Sequence, residues 1–172
     1  MRTNIREPRS VLHIYLDDML LEVRASNYYS GLALALSILD ICAKIEYPAI
    51  EKIGDRYRKW VEEWCKMISI SADDCYALRC AYVHCGTDAL EGRSAENAIF
   101  DAIGFTVGKS GGGWLTRAFP SADGKSKPTA AILVESLCQE IATSADDWCR
   151  ARGTDQRVAD RIAALMQMRP AS

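Results

Sequence analysis

Residues 36–46 read LSILDICAKIE and form the centre of an apolar segment that runs from about Asn27 to Glu46. Apolar residues occupy most positions of this segment instead of a single stripe. A helix that is apolar nearly all round is buried on most of its sides. The segment therefore predicts a helix at the centre of a helical bundle.

Other helices are predicted on both sides of this segment. Apolar residues at three-and-four spacing predict a first helix over Val11–Arg24 after a Ser10 N-cap. The later helices are expected at about Pro48–Ile68, from a Ser71 N-cap to Gly86, at Val134–Ala151, and from a Thr154 N-cap to Met168. Between the fourth and fifth helices, Ile99–Val107 and Trp114–Phe119 could form a small β-hairpin. We therefore expect a mainly α, single-domain bundle of five to six helices over residues 1–172.

Composition restricts the class of protein. The net charge of −2 argues against a strongly basic, nonspecific nucleic-acid binder. The longest apolar run, Gly31–Ala43, is shorter than the roughly 18 to 20 residues of a membrane span and contains Asp40. The basic N-terminus lacks a following apolar core typical of a secretory signal. Seven cysteines, an odd number, indicate reduced thiols. These features predict a cytoplasmic protein with no membrane partner.

Arg79 and His84 are separated by four residues within DCYALRCAYVHCG, residues 74–86. Metal-free RNA cleavage needs a group that moves the 2′-hydroxyl proton and a cation that stabilises charge on the phosphate. Histidine titrates near neutral pH, and the arginine fork fits phosphate oxygens. On one α-helix, however, a five-residue offset turns about 140°. A joint site therefore requires a helix end that loosens near His84, or a second copy of the helix from a two-fold dimer.

The segment from Asp74 to Gly86 resembles the signature helix of HEPN domains, which carry an Arg-x4–6-His motif. Leu36–Glu46, Arg56–Trp60 and Leu137–Trp148 resemble the neighbouring helices of that family. The resemblance implies a HEPN-like helical bundle that acts as a metal-independent endoribonuclease, leaving a 2′,3′-cyclic phosphate. It implies Arg79 as phosphate ligand, His84 as general acid/base, no cofactor or metal, and a composite site at the interface of a homodimer.

The same resemblance implies a toxin or phage-defence effector, with an antitoxin or another protein as a possible partner besides the RNA substrate. The segment departs from the active relatives in two ways. Cys80 follows the arginine where a polar residue is common, and Cys85 and Gly86 stand where a tyrosine is often found. Some HEPN domains are noncatalytic. The alternative function is therefore a HEPN-like scaffold that binds a protein or nucleic acid.

Several other residues are candidates for the substrate site. Tyr82 and Cys80 lie beside the pair, and Tyr82 could stack a base. Arg56, Arg58 and Lys59 form a small basic cluster that could contact further phosphates. Against these roles stands a structural one, in which Arg79 pairs with a carboxylate such as Asp40 or Glu46.

Three weaker patterns favour structural interpretations. His13 is expected to be an ordinary helical histidine. The spacing of Cys75, Cys80, Cys85 and His84 is wrong for the knuckles of a structural zinc site. The run Gly108-Lys109-Ser110 resembles the end of a P-loop, but Ile103 occupies the position of the required first glycine. A loop is therefore expected there.

Overall fold

The computed structural model describes residues 10–68, 70–107, 117–120 and 127–166. These residues form a mainly helical bundle with one small sheet, as predicted at that level. The α-helices are α1 (Val11–Arg24), α2 (Tyr28–Glu46), α3 (Ile53–Trp64), α4 (Ala72–Cys80), α5 (Val134–Arg152) and α6 (Gln156–Ala163). The glycine-rich run at residues 108–113, for which a loop was expected, lies outside the described residues.

The central position predicted for α2 is confirmed. This helix packs against α1, α3, α5 and α6. A Cβ atom on Gly31 would lie 2.6 Å from Val23 Cγ2, so only glycine allows α1 and α2 to approach this closely. By length and composition α2 could also cross a bilayer, and half of its most apolar window is buried. A central bundle helix has the same composition, and the absence of a membrane partner stays a prediction.

Local end signals were predicted with mixed success. The Ser71 cap of α4 is confirmed, because Ser71 Oγ accepts from the Asp74 amide at 3.0 Å in a capping box. Helix α3 begins at Ile53 and ends at Trp64, so the predicted range from Pro48 to Ile68 was too long. Residues 47–52 form the turn that reverses the direction of the chain between α2 and α3. Helix α6 begins after Asp155, whose carboxylate accepts from the Arg157 amide at 3.0 Å, and not after Thr154.

The predicted pairing of the two segments between the fourth and fifth helices as a β-hairpin is wrong, although an antiparallel pair of strands does form in that region. Strands β1 (Ala102–Thr106) and β2 (Arg117–Phe119) lie within or at the end of the expected segments, but they do not pair with each other. A third strand, β3 (Thr129–Leu133), lies between them, parallel to β1 and antiparallel to β2. This strand leads directly into α5, and its backbone satisfies the hydrogen-bonding groups of both neighbours.

One buried carboxylate joins the sheet region to the helices. Asp74 is completely buried, and its Oδ1 accepts from the amides of Ile99 and Phe100 at 2.7 and 3.1 Å. Its Oδ2 accepts from Ser71. The carboxylate therefore ties the start of α4 to the segment before β1, which positions the helix that carries Arg79.

Candidate active site

The helix that carries Arg79 changes geometry at its end. Helix α4 is followed without a break by a π-helical turn over Ala81–Cys85, called the π turn below. The turn ends at Gly86, which has a positive φ of 66°. The amide of Gly86 bonds to the Tyr82 carbonyl, and the amide of Thr87 bonds to the Ala81 carbonyl. In the capping motif at the C-terminus of an ordinary α-helix, the two corresponding hydrogen bonds each span one residue fewer. The wider π turn accounts for the additional residue.

The π turn brings Arg79 and His84 together. Arg79 Nη1 lies 2.5 Å from His84 Nε2. A π-helix closes its hydrogen bonds between residues five apart, so residues at that spacing come closer to one face than in an α-helix. The helix end therefore loosens as one of the two sequence hypotheses required. A second copy of the chain is not needed to bring the two side chains into contact.

The contact also assigns the hydrogen-bonding roles of the two side chains. Arginine only donates hydrogen bonds, so His84 Nε2 accepts from Arg79. His84 is exposed to solvent. An accessible imidazole nitrogen with a free lone pair can take a proton once a stronger acceptor draws Arg79 away.

Asp40 on α2 holds the other half of the arginine fork. Its Oδ2 accepts from Arg79 Nη2 at 2.8 Å, and its Oδ1 lies 3.8 Å from Arg56 Nη2. Only 14% of the Arg79 side chain is exposed. Burial acts to lower the pKa of Arg79, but Asp40 and Cys80 outweigh it and raise that pKa above its ordinary value. Arg79 therefore remains a cation with a defined orientation.

A cavity of about 370 Å³ opens beside this ion pair. Its walls come from α2, α3, α4 and the residues after α6: Ser37, Asp40, Ile41, Lys44, Ile45, Arg56, Arg79 and Leu165. Sequence reasoning missed Ser37, Lys44 and Leu165 as members of a site. A signal was present for two of them, because Ser37, Asp40 and Lys44 recur at helical spacing on an otherwise apolar helix.

The predicted basic cluster on α3 is divided by the fold. Arg56 lines the cavity, as described. Arg58 instead stacks on Tyr76, 4.5 Å from the ring centroid, and pairs with Asp73 at 2.5 Å. Lys59 lies over the Tyr47 ring and 3.9 Å from Glu63. Adjacent helical positions point in different directions, so only Arg56 joins Arg79.

Tyr82 and Cys80 have partners within the bundle. The Tyr82 hydroxyl donates to the Tyr29 carbonyl at 3.1 Å, and its ring packs edge-on against Phe105. Burial raises the pKa of Tyr82 above its ordinary value. Cys80 lies close enough to Arg79 and Tyr76 to help raise the pKa of each. Both side chains thus support the π turn and its arginine, while their proposed contact with substrate stays a prediction.

The remaining titratable candidates lie apart from the pair. His13 contacts Ser10 at 2.7 Å and Asp146 at 3.3 Å. Glu46, one of the two carboxylates considered for Arg79, instead accepts from Arg152 and Trp148. Among the residues that the structure describes, no group of three or more histidine, cysteine or acidic side chains could hold a metal ion.

Comparisons with protein-family models, curated proteins and solved structures found no match to this chain. The HEPN resemblance therefore depends on residues 74–86 and the neighbouring helical segments. The chemistry of the site has to be argued from its geometry.

Proposed function

We propose that the chain is a metal-independent endoribonuclease of HEPN type that acts as a toxin or phage-defence effector. The observation that carries the proposal is the 2.5 Å contact between Arg79 and His84, which the π turn makes within one chain. Single π-helical turns of this kind are frequent at functional sites. The cation and the proton carrier that RNA cleavage needs thus stand side by side.

In the proposed reaction, the scissile phosphate replaces His84 as the partner of Arg79 Nη1. His84 Nε2 is then free to accept the 2′-hydroxyl proton. The 2′-oxygen attacks phosphorus, and the bond from phosphorus to the 5′-oxygen breaks. The proton passes to that leaving oxygen, so the products are a 2′,3′-cyclic phosphate and a 5′-hydroxyl. Arg79 stabilises the charge on the phosphoryl oxygens throughout.

Asp40 is the positioning residue of this proposed site. Its bond to Arg79 Nη2 keeps one edge of the guanidinium occupied and leaves Nη1 directed toward His84. One chain makes the contact between Arg79 and His84 alone, but the homodimer remains part of the proposal for another reason. A second copy would supply a second imidazole, so one His84 could remove the proton while the other donates one.

A noncatalytic HEPN-like scaffold is the alternative function. The observation in its favour is that Arg79 is mostly buried and paired with Asp40 at 2.8 Å, as a structural arginine would be. On that hypothesis the π turn shapes a binding surface for a protein or nucleic acid, and His84 has no role in chemistry.

RNA cleavage in the presence of EDTA separates the two functions. We expect His84→Ala to reduce cleavage at least 100-fold, because general acid–base catalysis contributes about 10²- to 10⁴-fold. Because His84 is exposed, the melting temperature of the His84→Ala variant should stay close to that of the wild type. The chain contains two histidines. His13→Ala is therefore a matched control and should retain full activity.

The product ends provide the second measurement. A 2′,3′-cyclic phosphate on the wild-type product supports the proposed route. Wild-type protein that binds RNA but leaves it uncut under every RNA and buffer condition tested would favour the scaffold. Equal cleavage by wild type and His84→Ala would exclude His84 as the proton carrier.

A further inference from the structure

We infer that the cavity beside Arg79 is a nucleotide subsite, which receives one unpaired nucleotide next to the scissile linkage of single-stranded RNA. This inference rests on the proposed ribonuclease function and adds the substrate class and the residues that select it. Three features of the cavity support it: its charge, its apolar wall and its position beside His84.

The cavity is built for an anion. Three cations line it, Lys44, Arg56 and Arg79, against the single carboxylate of Asp40, which leaves a formal charge of +2. Arg56 is 9% exposed, and within the described part of the chain its Nε has no hydrogen-bond partner. The same holds for Arg79 Nε. Asp40 Oδ1 also lacks a hydrogen-bond partner among the described residues. The three cations outnumber this one carboxylate, so the surplus positive charge of the cavity favours an anion such as phosphate.

Lys44 is the accessible cation of the cavity. Its Nζ contacts only the Pro48 carbonyl, at 3.4 Å, among the hydrogen bonds found in the described residues. The lysine side chain is flexible, so Nζ can turn toward a phosphate without breaking a strong bond. Lys44 therefore suits the phosphate of the nucleotide that enters the cavity.

Part of the cavity wall is apolar. Ile41 and Ile45 of α2 and Leu165 after α6 supply it. A nucleobase has two apolar faces and packs well on such a surface, with its phosphate at the cationic end. The volume of about 370 Å³ lies near the lower end of the range of roughly 300–1,000 Å³ for ligand pockets, which suits one nucleotide. Bases within a duplex are paired and stacked, so an unpaired base is the form that can enter.

Arg79 joins the subsite to the proposed chemistry. Its guanidinium lines the cavity and its Nη1 reaches His84. A phosphate held by Arg79 would therefore stand between the imidazole and the nucleotide in the cavity. The nucleotide in the subsite would then be a direct neighbour of the bond that breaks.

Cleavage kinetics on a single-stranded oligoribonucleotide test the inference. We expect Lys44→Ala to raise KM about tenfold with kcat nearly unchanged, because the lysine binds ground state and transition state alike. Ser37→Phe, which places a ring in the cavity, should raise KM by a similar factor. Lys66→Ala removes another exposed lysine, at the end of α3, and should leave both constants unchanged.

Binding measured by calorimetry on His84→Ala separates failure of the subsite from failure of the enzyme. The probes are a nucleoside 3′-monophosphate, a single-stranded oligonucleotide and the same sequence as a duplex. Lys44-dependent binding of the single strand, with weak duplex binding, supports the subsite even if the wild type proves inactive. Cleavage that is unaffected by both cavity variants overturns the subsite and leaves the ribonuclease intact. Binding of the free monophosphate without the oligonucleotide also overturns it, because the cavity would then hold a free nucleotide.

Discussion

Helix α2 carries two carboxylates, six residues apart, that each bind an arginine. They differ in how many hydrogen bonds they accept. Glu46 accepts from Arg152 Nε at 2.9 and 3.1 Å, from Arg152 Nη2, and from Trp148 Nε1 at 2.9 Å. Asp40 accepts one short bond from Arg79, and its second oxygen is 3.8 Å from Arg56. The Glu46 side chain is 8% exposed, and the Asp40 side chain is 20% exposed.

The difference separates a structural ion pair from a candidate site. The ion pair between Glu46 and Arg152 links α2 to α5. The oxygens of Glu46 already accept hydrogen bonds, so few groups of this pair are free to bind a ligand. The Asp40 pair leaves the Nε atoms of two arginines without partners in the described residues and borders a cavity. The cavity and the exposed imidazole beside the Asp40 pair are the reasons that we propose this pair, and not the Glu46 pair, as part of the functional site.

Matched lysine substitutions should expose this difference most strongly. Arg79→Lys keeps the charge but loses the fork that reaches Asp40 and His84 together. We expect RNA cleavage to fall about 10²- to 10³-fold, the range for loss of one transition-state donor. Arg152→Lys should leave cleavage unchanged and lower the free energy of unfolding by about 1 kcal/mol. Steady-state kinetics and urea unfolding of both variants provide the comparison. The distinction fails if Arg152→Lys loses as much activity as Arg79→Lys.

The stability of the structural pair should depend on pH. Burial acts to raise the pKa of Glu46, but the hydrogen bonds from Arg152 and Trp148 outweigh it and lower that pKa. A carboxyl group with a lowered folded-state pKa contributes stability above its unfolded pKa of about 4.3 and loses it as the pH falls through the folded value. Glu46→Gln should therefore lower the free energy of unfolding by about 2 kcal/mol at pH 7.

Urea unfolding at pH 7, 5, 4 and 3.5 measures this cost. The difference in free energy of unfolding between the wild type and Glu46→Gln should become smaller below about pH 4. A gap that stays constant down to pH 3.5 would show that packing around residue 46, and not its ionisation, accounts for the loss.

Asp40→Asn should reduce cleavage less than Arg79→Lys does. The amide oxygen can still accept from Arg79, but the local charge becomes more positive. We expect kcat to fall about tenfold, equivalent to about 1.4 kcal/mol, while KM for RNA falls slightly. A rise in KM with unchanged kcat would contradict the positioning role of Asp40, since it would mean that the carboxylate assists binding alone.

The sequence contained enough information to predict the helices around the candidate site and one of its structural contacts. Pairing of Arg79 with Asp40 was one of two alternatives, and the structure selects it over Glu46. The basic cluster on α3 could not be resolved in this way. Arg56, Arg58 and Lys59 are close in sequence, but they turn to different partners. Arg56 faces Asp40 of α2, and Arg58 faces Asp73 and Tyr76 of α4. Lys59 lies against Tyr47 and against Glu63 of its own helix.

The sequence by itself determined the features that a few neighbouring residues encode. The apolar segment defines α2, the Ser71 capping box starts α4, and Gly86 ends the turn because it adopts a positive φ without a Cβ clash. Tertiary structure decided the rest. The π turn forms where Arg79 reaches Asp40 and Tyr82 reaches Tyr29 on the same partner helix. Strand order depends on β3, which pairs with β1 across more than twenty residues. These outcomes depend on long-range contacts, which local periodicity and capping do not encode.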